Sequence, residues 1–375
     1  MVVKRRGNAK STGGTVETSV TFGARATLKD IAKALGIAVS TVSNAYNRPD
    51  QLSEGLRATI LETADRLGYT GPDPAARSLR RGVSNVIGVV YPGTLSYAFT
   101  DPAAALFIEG IAHEAEAAGF ALMLIGTPDV SAQQWAPPPI TTANVDGLIV
   151  HCFADHDPLF DAALARRLPT VMVDNSGVSG QPHVAIDDRG GARLAAEHLL
   201  ERGHIRLGVV AMEFTVEVTP GIADLRRQSQ ITYASVRERL EGYRSAVEAA
   251  GLDWEHDVVV YECHDNRPVD GEEAAAALLA GELRPTALLA MSDQLAFGVL
   301  AHLKNAGIGV PDEVAVVGFD DLPAAARTTP ALTTVHQPTI EKGRYAGRLL
   351  LAQLNGEDLP PSITLPTHLV VRESS

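Results

Sequence analysis

From Asn85 onward the sequence repeats one alternation, a short apolar run followed by a longer stretch with helical spacing. The runs are VIGVVYP, FALMLIG, VDGLIVHC, PTVMVD, IRLGVVA, VVVYEC, TALLAMS and VAVVGFD. Between them lie helix-like stretches such as ALFIEGIAHEAEAAG, GARLAAEHLLERG, VRERLEGYRSAVEAAG and QLAFGVLAHLKNAG. Such alternation predicts parallel sheets covered by helices. So many units exceed one doubly wound sheet and predict two similar lobes, in keeping with a chain of 375 residues.

Ligands of such sheets bind outside the carboxyl ends of the strands, so the residues just after each run matter most. Those positions are polar: Asp174, Asn266, Ser292 and Asp320. Asp or Ser after a strand commonly caps the next helix, and each alone reads that way. Their convergence points instead to a cleft for a hydroxylated small molecule, since carboxylates accept hydroxyl hydrogens and Arg donates back.

Charge divides the chain differently. Residues 1–82 hold 13 of the 32 Lys+Arg and 7 of the 45 Asp+Glu, which leaves 19 basic and 38 acidic residues for the rest. A basic head on an acidic body points to an anionic partner for the head alone. Residues 1–24, rich in Gly, Ser, Thr and Lys, read as a disordered basic tail.

Residues 25–70 read as three helices. Thr27 with Asp30 forms a capping-box pattern, Leu28, Ile31, Ala32 and Leu35 share one face, and Gly36 ends the helix. A second helix, about Val39 to Tyr46, buries Val42 and Tyr46 and turns Ser40 and Asn44 outward. Ser53 caps a third, whose inner face is Leu56, Ile60, Ala64 and Leu67 and whose end is Gly68. This is a helix-turn-helix, and its second helix presents an amino-terminal end and a polar face, as major-groove reading requires. Ser40 suits several base edges or a phosphate; Asn44 suits bidentate pairing with adenine.

The stretch TLKDIAKALGIAVSTVSNAYNRPDQLSEGLRATILETADRLGY resembles the head of the lactose/galactose repressor family along its whole length. GPDPAARSLRRG, within the linker 71–83, resembles that family's hinge helix, and 84–375 resembles its periplasmic-binding-protein-like core, which senses an effector and dimerises. The resemblance implies base-reading positions at Val39, Ser40 and Asn44, with Thr41 and Ser43 near phosphates. Thr27 and Asn47 complete the set expected to face DNA. It implies that Ala76 and Leu79 enter the minor groove, Leu79 as a wedge between base steps. In the body it implies effector contacts from Asp174, Arg239, Asn266, Ser292, Asp320 and Gln337, with Phe99 and Asp101 lining the pocket from the other lobe. The fold class is thus an all-α helix-turn-helix head on an α/β two-lobed core of two parallel doubly wound sheets.

The sequence departs from the family in places. Ala38 stands where a capping Ser or Thr is common, Asn44 where Arg is common, and Ser292 where Asn is frequent. Asn266 stands where several members stack an aromatic ring on a sugar. EFTVEVTPGIADLRRQSQITY is longer than in the best-known members and is expected to reshape the entrance.

The implied function is a sequence-specific transcriptional regulator, a repressor, whose hold on a near-palindromic duplex operator answers to a small sugar-like effector. It would act in the cytoplasm, at the nucleoid, as a homodimer. HLVVRESS has no leucine-heptad tail after it, so a tail-mediated tetramer is not expected. The competing reading is a transport-type solute-binding protein, which should carry an export signal and no DNA head; the N-terminus has no apolar run of signal length, and no stretch of about 18 apolar residues appears. An enzyme fused to a DNA head would need a nucleophile or phosphate loop, and neither a P-loop nor GxGxxG follows a strand. Cys152 and Cys263 lack metal-like spacing. His198 and His204 read as a surface and a turn His, and Asp188 of the Asp187–Asp188 pair as a helix cap. No catalytic residue, cofactor, metal or membrane contact is expected.

Overall fold

The computed structural model describes residues 26–71, 82–93, 95–127, 138–175, 181–358 and 362–375. The predicted tail and the hinge positions Ala76 and Leu79 lie outside these residues. The chain divides at Gly82 into two units, 1–82 and 83–375.

In the first unit, α1 (Leu28–Leu35), α2 (Val39–Asn47) and α3 (Glu54–Arg66) enclose a small core of Ile31, Ala32, Val42, Ala45, Ile60 and Ala64. Full burial of each larger aliphatic side chain is worth about 1.5–3 kcal/mol. Thr27 donates its N–H and its hydroxyl to the Asp30 carboxylate, at 2.9 and 2.8 Å. Gly36, at φ +66°, ends α1 in the left-handed region and lets α2 begin three residues later. Tyr46 packs edge-on against Tyr69, with ring centroids 5.7 Å apart. Leu67 departs from expectation: it is 39% exposed, and the buried inner face of α3 is Ile60, Thr63 and Ala64. Leu67 is the C-cap residue, where the helix has already turned away from the core.

The second unit holds two sheets. The described strands are β1 (Val86–Pro92), β2 (Ala121–Thr127), β3 (Gly147–His151), β4 (Thr170–Val173), β5 (His183–Ile186), β6 (Leu207–Ala211), β7 (Gly221–Ile222), β8 (Val258–Glu262), β9 (Ala287–Ala290), β10 (Ala315–Asp320), β11 (Thr333–His336), β12 (Ser362–Leu365) and β13 (His368–Val370). The first sheet runs β12-β5-β4-β3-β1-β2 and is parallel throughout. The second runs β13-β11-β10-β9-β6-β8-β7, parallel except for the edge strands β13 and β7. All eight apolar runs are strands. The five strands outside those runs are short and lie at or next to sheet edges.

Longer helices cover the sheets: α4 (Pro102–Ala117), α5 (Asp188–Glu201), α6 (Ala234–Ala249), α7 (Pro268–Ala280), α8 (Asp293–Ala306) and α9 (Thr339–Asn355). They pack in pairs, α4 on α9, α5 on α6 and α7 on α8. The chain passes between lobes after β5, after β11 and again between β12 and β13. Consequently α9 starts beside the second sheet and packs over β3, β4 and β5 of the first. At its contact with α4, Gly110 and Gly343 let the backbones meet: a Cβ on either would strike a carbonyl of the other helix. Among the described residues no helix is long and apolar enough to cross a membrane.

Candidate functional site

In the head, the positions expected at DNA cluster on α2. Val39 is 41% exposed at its first turn, Ser40 and Asn47 are exposed, and Thr41, Ser43 and Asn44 are half-buried. Ala38 occupies the N-cap with no side-chain acceptor, so the first N–H groups of α2 carry no side-chain cap. Asn47 donates to Ser43 Oγ at 3.1 Å, and the Asn44 amide reaches Gln51 Oε1 at 3.4 Å, a long bond that a better acceptor would displace. Thr27 instead spends its hydroxyl on Asp30 at the start of α1.

In the core, the carboxyl ends of both sheets converge on a cavity of about 90 Å³. Asp101, His151, Cys152 and Asp174 line it from the first lobe. Ser235, Arg239, Asn266, Ser292 and Asp320 line it from the second, and Gln337, Thr339 and Lys342 from the crossing into α9. Phe99 does not belong here: it is 72% exposed, on the helix Leu95–Thr100. Asp101, two residues on, is buried and caps α4 by accepting from Ala103 N–H at 3.0 Å.

Of the after-strand residues expected to cap the next helix, Ser292 does so and lines the cavity as well. Ser292 accepts from Leu295 N–H at 3.1 Å and donates to Asn266 Oδ1 at 2.5 Å. Asp320, at the end of β10 with φ +124°, accepts from Gln337 Nε2 at 2.5 Å. Gln337 Oε1 accepts from Lys342 Nζ at 3.1 Å, and Lys342 pairs with Asp174 Oδ2 at 2.5 Å. Asp174 in turn lies 3.5 Å from His151 Nε2. One polar chain thus runs from the second sheet to the first.

Arg239 is buried, stacked 3.7 Å over the Phe319 ring and donating to Asp188 at 2.7 Å and to the Met291 carbonyl. Asp188 is therefore not the cap. Asp187 caps α5 through Gly190 N–H, and Asp188, one residue on, turns inward to the guanidinium. Burial pushes the Asp188 carboxyl up to about 6 against the pull of Arg239, and that of Asp320 to about 7. Burial would also raise Asp174, but Lys342 and His151 together hold it well below the usual carboxylate range. Burial pushes the His151 imidazole down against the pull of Asp174, which favours its neutral form.

His198 and His204 are half-buried and tied to Ser375 Oγ and Thr286 Oγ1, at 2.9 and 3.0 Å. The long segment 213–233 is pinned: Arg227 pairs with the fully buried Glu262 at 2.6 Å, and β7 adds an edge strand. Its end meets the other lobe, where Asp155 N–H donates to the Thr232 carbonyl at 2.9 Å and Arg237 pairs with Asp155 at 3.0 Å. Sequence reasoning did not place Lys342, His151 or Cys152 at the site, and it took Asp188 for a cap. His151 and Cys152 obey the after-strand rule that found Asp174. Lys342 carries no such signal, because only the return of α9 to the first lobe brings it there.

The periplasmic-binding-protein-like domain family matches residues 196–375. An HTH-type transcriptional regulator of Mycolicibacterium smegmatis is 40% identical over 92% of this chain and 95% of its own length. The ribose operon repressor of Escherichia coli is 31% identical over 88% of this chain and 93% of its own. The crystal structure of a LacI-family transcriptional regulator from Corynebacterium glutamicum is 35% identical, covers 93% of this chain and 98% of its own, and superposes with a TM-score of 0.70. With its helix-turn-helix head and its two-sheet core, the chain belongs to the LacI family of transcriptional regulators.

Proposed function

We propose that the protein is a repressor that grips a near-palindromic operator as a homodimer and alters that grip when a small sugar-like effector binds between the lobes. The observation that carries the reading is one polar cleft shared by both sheets, in a chain whose head presents an exposed reading helix. Carboxylates, amides and hydroxyls around the cavity suit a polyhydroxylated ligand. Asp101, Asp174, Arg239, Asn266, Ser292, Asp320 and Gln337 are the effector set, and Phe99 falls away from it. At the DNA, Val39, Ser40 and Asn44 read bases, Thr41, Ser43 and Asn47 hold the backbone, and Thr27 orients α1. On the family resemblance, Ala76 and Leu79 enter the minor groove from the linker. A regulator of this kind works at the nucleoid, in the cytoplasm. The reading assigns no catalytic step.

A cavity of about 90 Å³ is well below the ~300–1,000 Å³ of ordinary small-molecule sites, so the lobes part to admit the ligand and close on it. The effector shifts operator affinity only by as much as it prefers one arrangement of the lobes. The test is fluorescence anisotropy with the protein's own promoter fragments, with and without a panel of sugars, across a salt series. Operator affinity should fall steeply with salt, and at least one sugar should change it. A salt-independent affinity, or none for any fragment in any condition, refutes the reading.

A further inference from the structure

The charges of the cleft are already spent on each other. Among the described residues lining the cavity the basic side chains are Arg239, Lys342 and the neutral His151. Arg239 is held by Asp188 and by the Met291 carbonyl, with Asp320 4.0 Å away. Lys342 is held by Asp174 and Gln337. The carboxylates of Asp101 and Asp174 line the same space, with the Asp320 carboxyl, which burial pushes up to about 7, beside them and Asp188 behind Arg239. A phosphate ester carries nearly two negative charges and no donor when fully ionised. It would meet no uncommitted cation here and would be repelled by the surrounding acids.

Two acceptors of the cleft have no donor. Asp174 Oδ1 and His151 Nδ1 are buried side-chain atoms with no hydrogen-bond partner. Asp174 Oδ1 is an acceptor. For His151 the assignment follows from its neighbour: Nε2 faces the Asp174 carboxylate at 3.5 Å, so the neutral ring carries its proton there and Nδ1 accepts. Two unpaired acceptors at the ends of adjacent strands, His151 closing β3 and Asp174 just after β4, are unfavourable until a ligand brings hydrogens to them. Tyr91 and Phe107 flank the His151 ring, with centroids 5.0 and 4.6 Å away, and hold it in place.

We infer that the effector is an uncharged polyol of single-ring size that donates hydroxyl hydrogens to Asp174 Oδ1 and His151 Nδ1, and that the cleft rejects phosphorylated sugars. This rests on the effector site proposed above and narrows its ligand class. The full-length protein is titrated with neutral aldopentoses, aldohexoses and cyclitols, then with their monophosphates and inorganic phosphate, following melting temperature and operator affinity. At least one neutral polyol should raise the melting temperature and change operator affinity; no phosphate ester should do either. His151→Phe, with its fold checked by circular dichroism, should weaken polyol binding by about tenfold or more. Asp174→Asn should do the same and, by freeing Lys342, confer measurable affinity for the phosphate ester. The inference is overturned if a phosphate ester binds the wild type as tightly as its parent sugar, if no neutral polyol binds, or if His151→Phe binds the polyol unchanged. A phosphate ester that alters operator affinity would sink this inference and leave the regulator standing. Polyol binding without any operator recognition would do the reverse.

Discussion

Gly343→Ala tests whether the α4–α9 contact sets the geometry of the cleft. Helix propensity alone favours Ala over Gly by about 1 kcal/mol inside a helix. Here the added Cβ would lie far inside the 3.0 Å limit that real Cβ atoms respect, against the Phe107 carbonyl, with Gly110 Cα and Ile111 N at 3.1 Å. These are backbone atoms, so no side chain can swing aside, and the helices must part by most of an ångström. Overpacking of this kind costs about 1–3 kcal/mol, which outweighs the propensity gain. Separation also moves Lys342, the preceding residue, off Asp174, and Phe107 off the His151 ring. We expect a lower melting temperature, by about 2–4 °C per kcal/mol lost, and a weaker effector response. Gly55→Ala in α3 is the control: nothing lies within 4 Å of its added Cβ, so it should leave stability equal or slightly higher. Gly343→Ala at or above wild-type stability, with normal effector response, would refute the packing argument.

Ala38→Ser supplies the missing N-cap acceptor and should stabilise the head by about 1 kcal/mol in urea unfolding; no gain would mean that the first turn of α2 is already satisfied. Arg227→Met leaves Glu262 buried without its cation and should cost about 3 kcal/mol or more by thermal unfolding; a loss under 1 kcal/mol would show that segment 213–233 does not depend on the pair. For Asp320, pushed up to about 7 by burial, the native state holds a proton that the unfolded chain releases near pH 4. Between those values stability falls as pH rises, so wild type should lose ground to Asp320→Asn by up to about 1.4 kcal/mol per pH unit from pH 4.5 to 7. A constant difference between the two proteins over that window counts against the raised pKa.

Pattern and chemistry near each residue were legible in the sequence. Helical spacing with Gly36 in the turn defines the head, and unbroken apolar runs mark the interior parallel strands, because both follow from local geometry. The rule that ligands gather after parallel strands picked out Asp174, Ser292 and Asp320, all of which line the cavity, since strand direction fixes which end of a sheet they occupy. Partners across the fold were not legible. Lys342 meets Asp174 from 168 positions away, and only because the chain leaves the second sheet and sends α9 over the first. Asp188 and Asp187 are equivalent in sequence; burial beside Arg239 makes one an ion-pair partner and leaves the other a cap. Phe99 looked like a pocket residue and is exposed, because the turn into α4 selects Asp101 instead. Local spacing determined the elements and the end of each sheet where a ligand belongs. The crossing of the chain between lobes decided which charges are paired and which acceptors stay open, because that depends on groups brought together from distant parts of the chain.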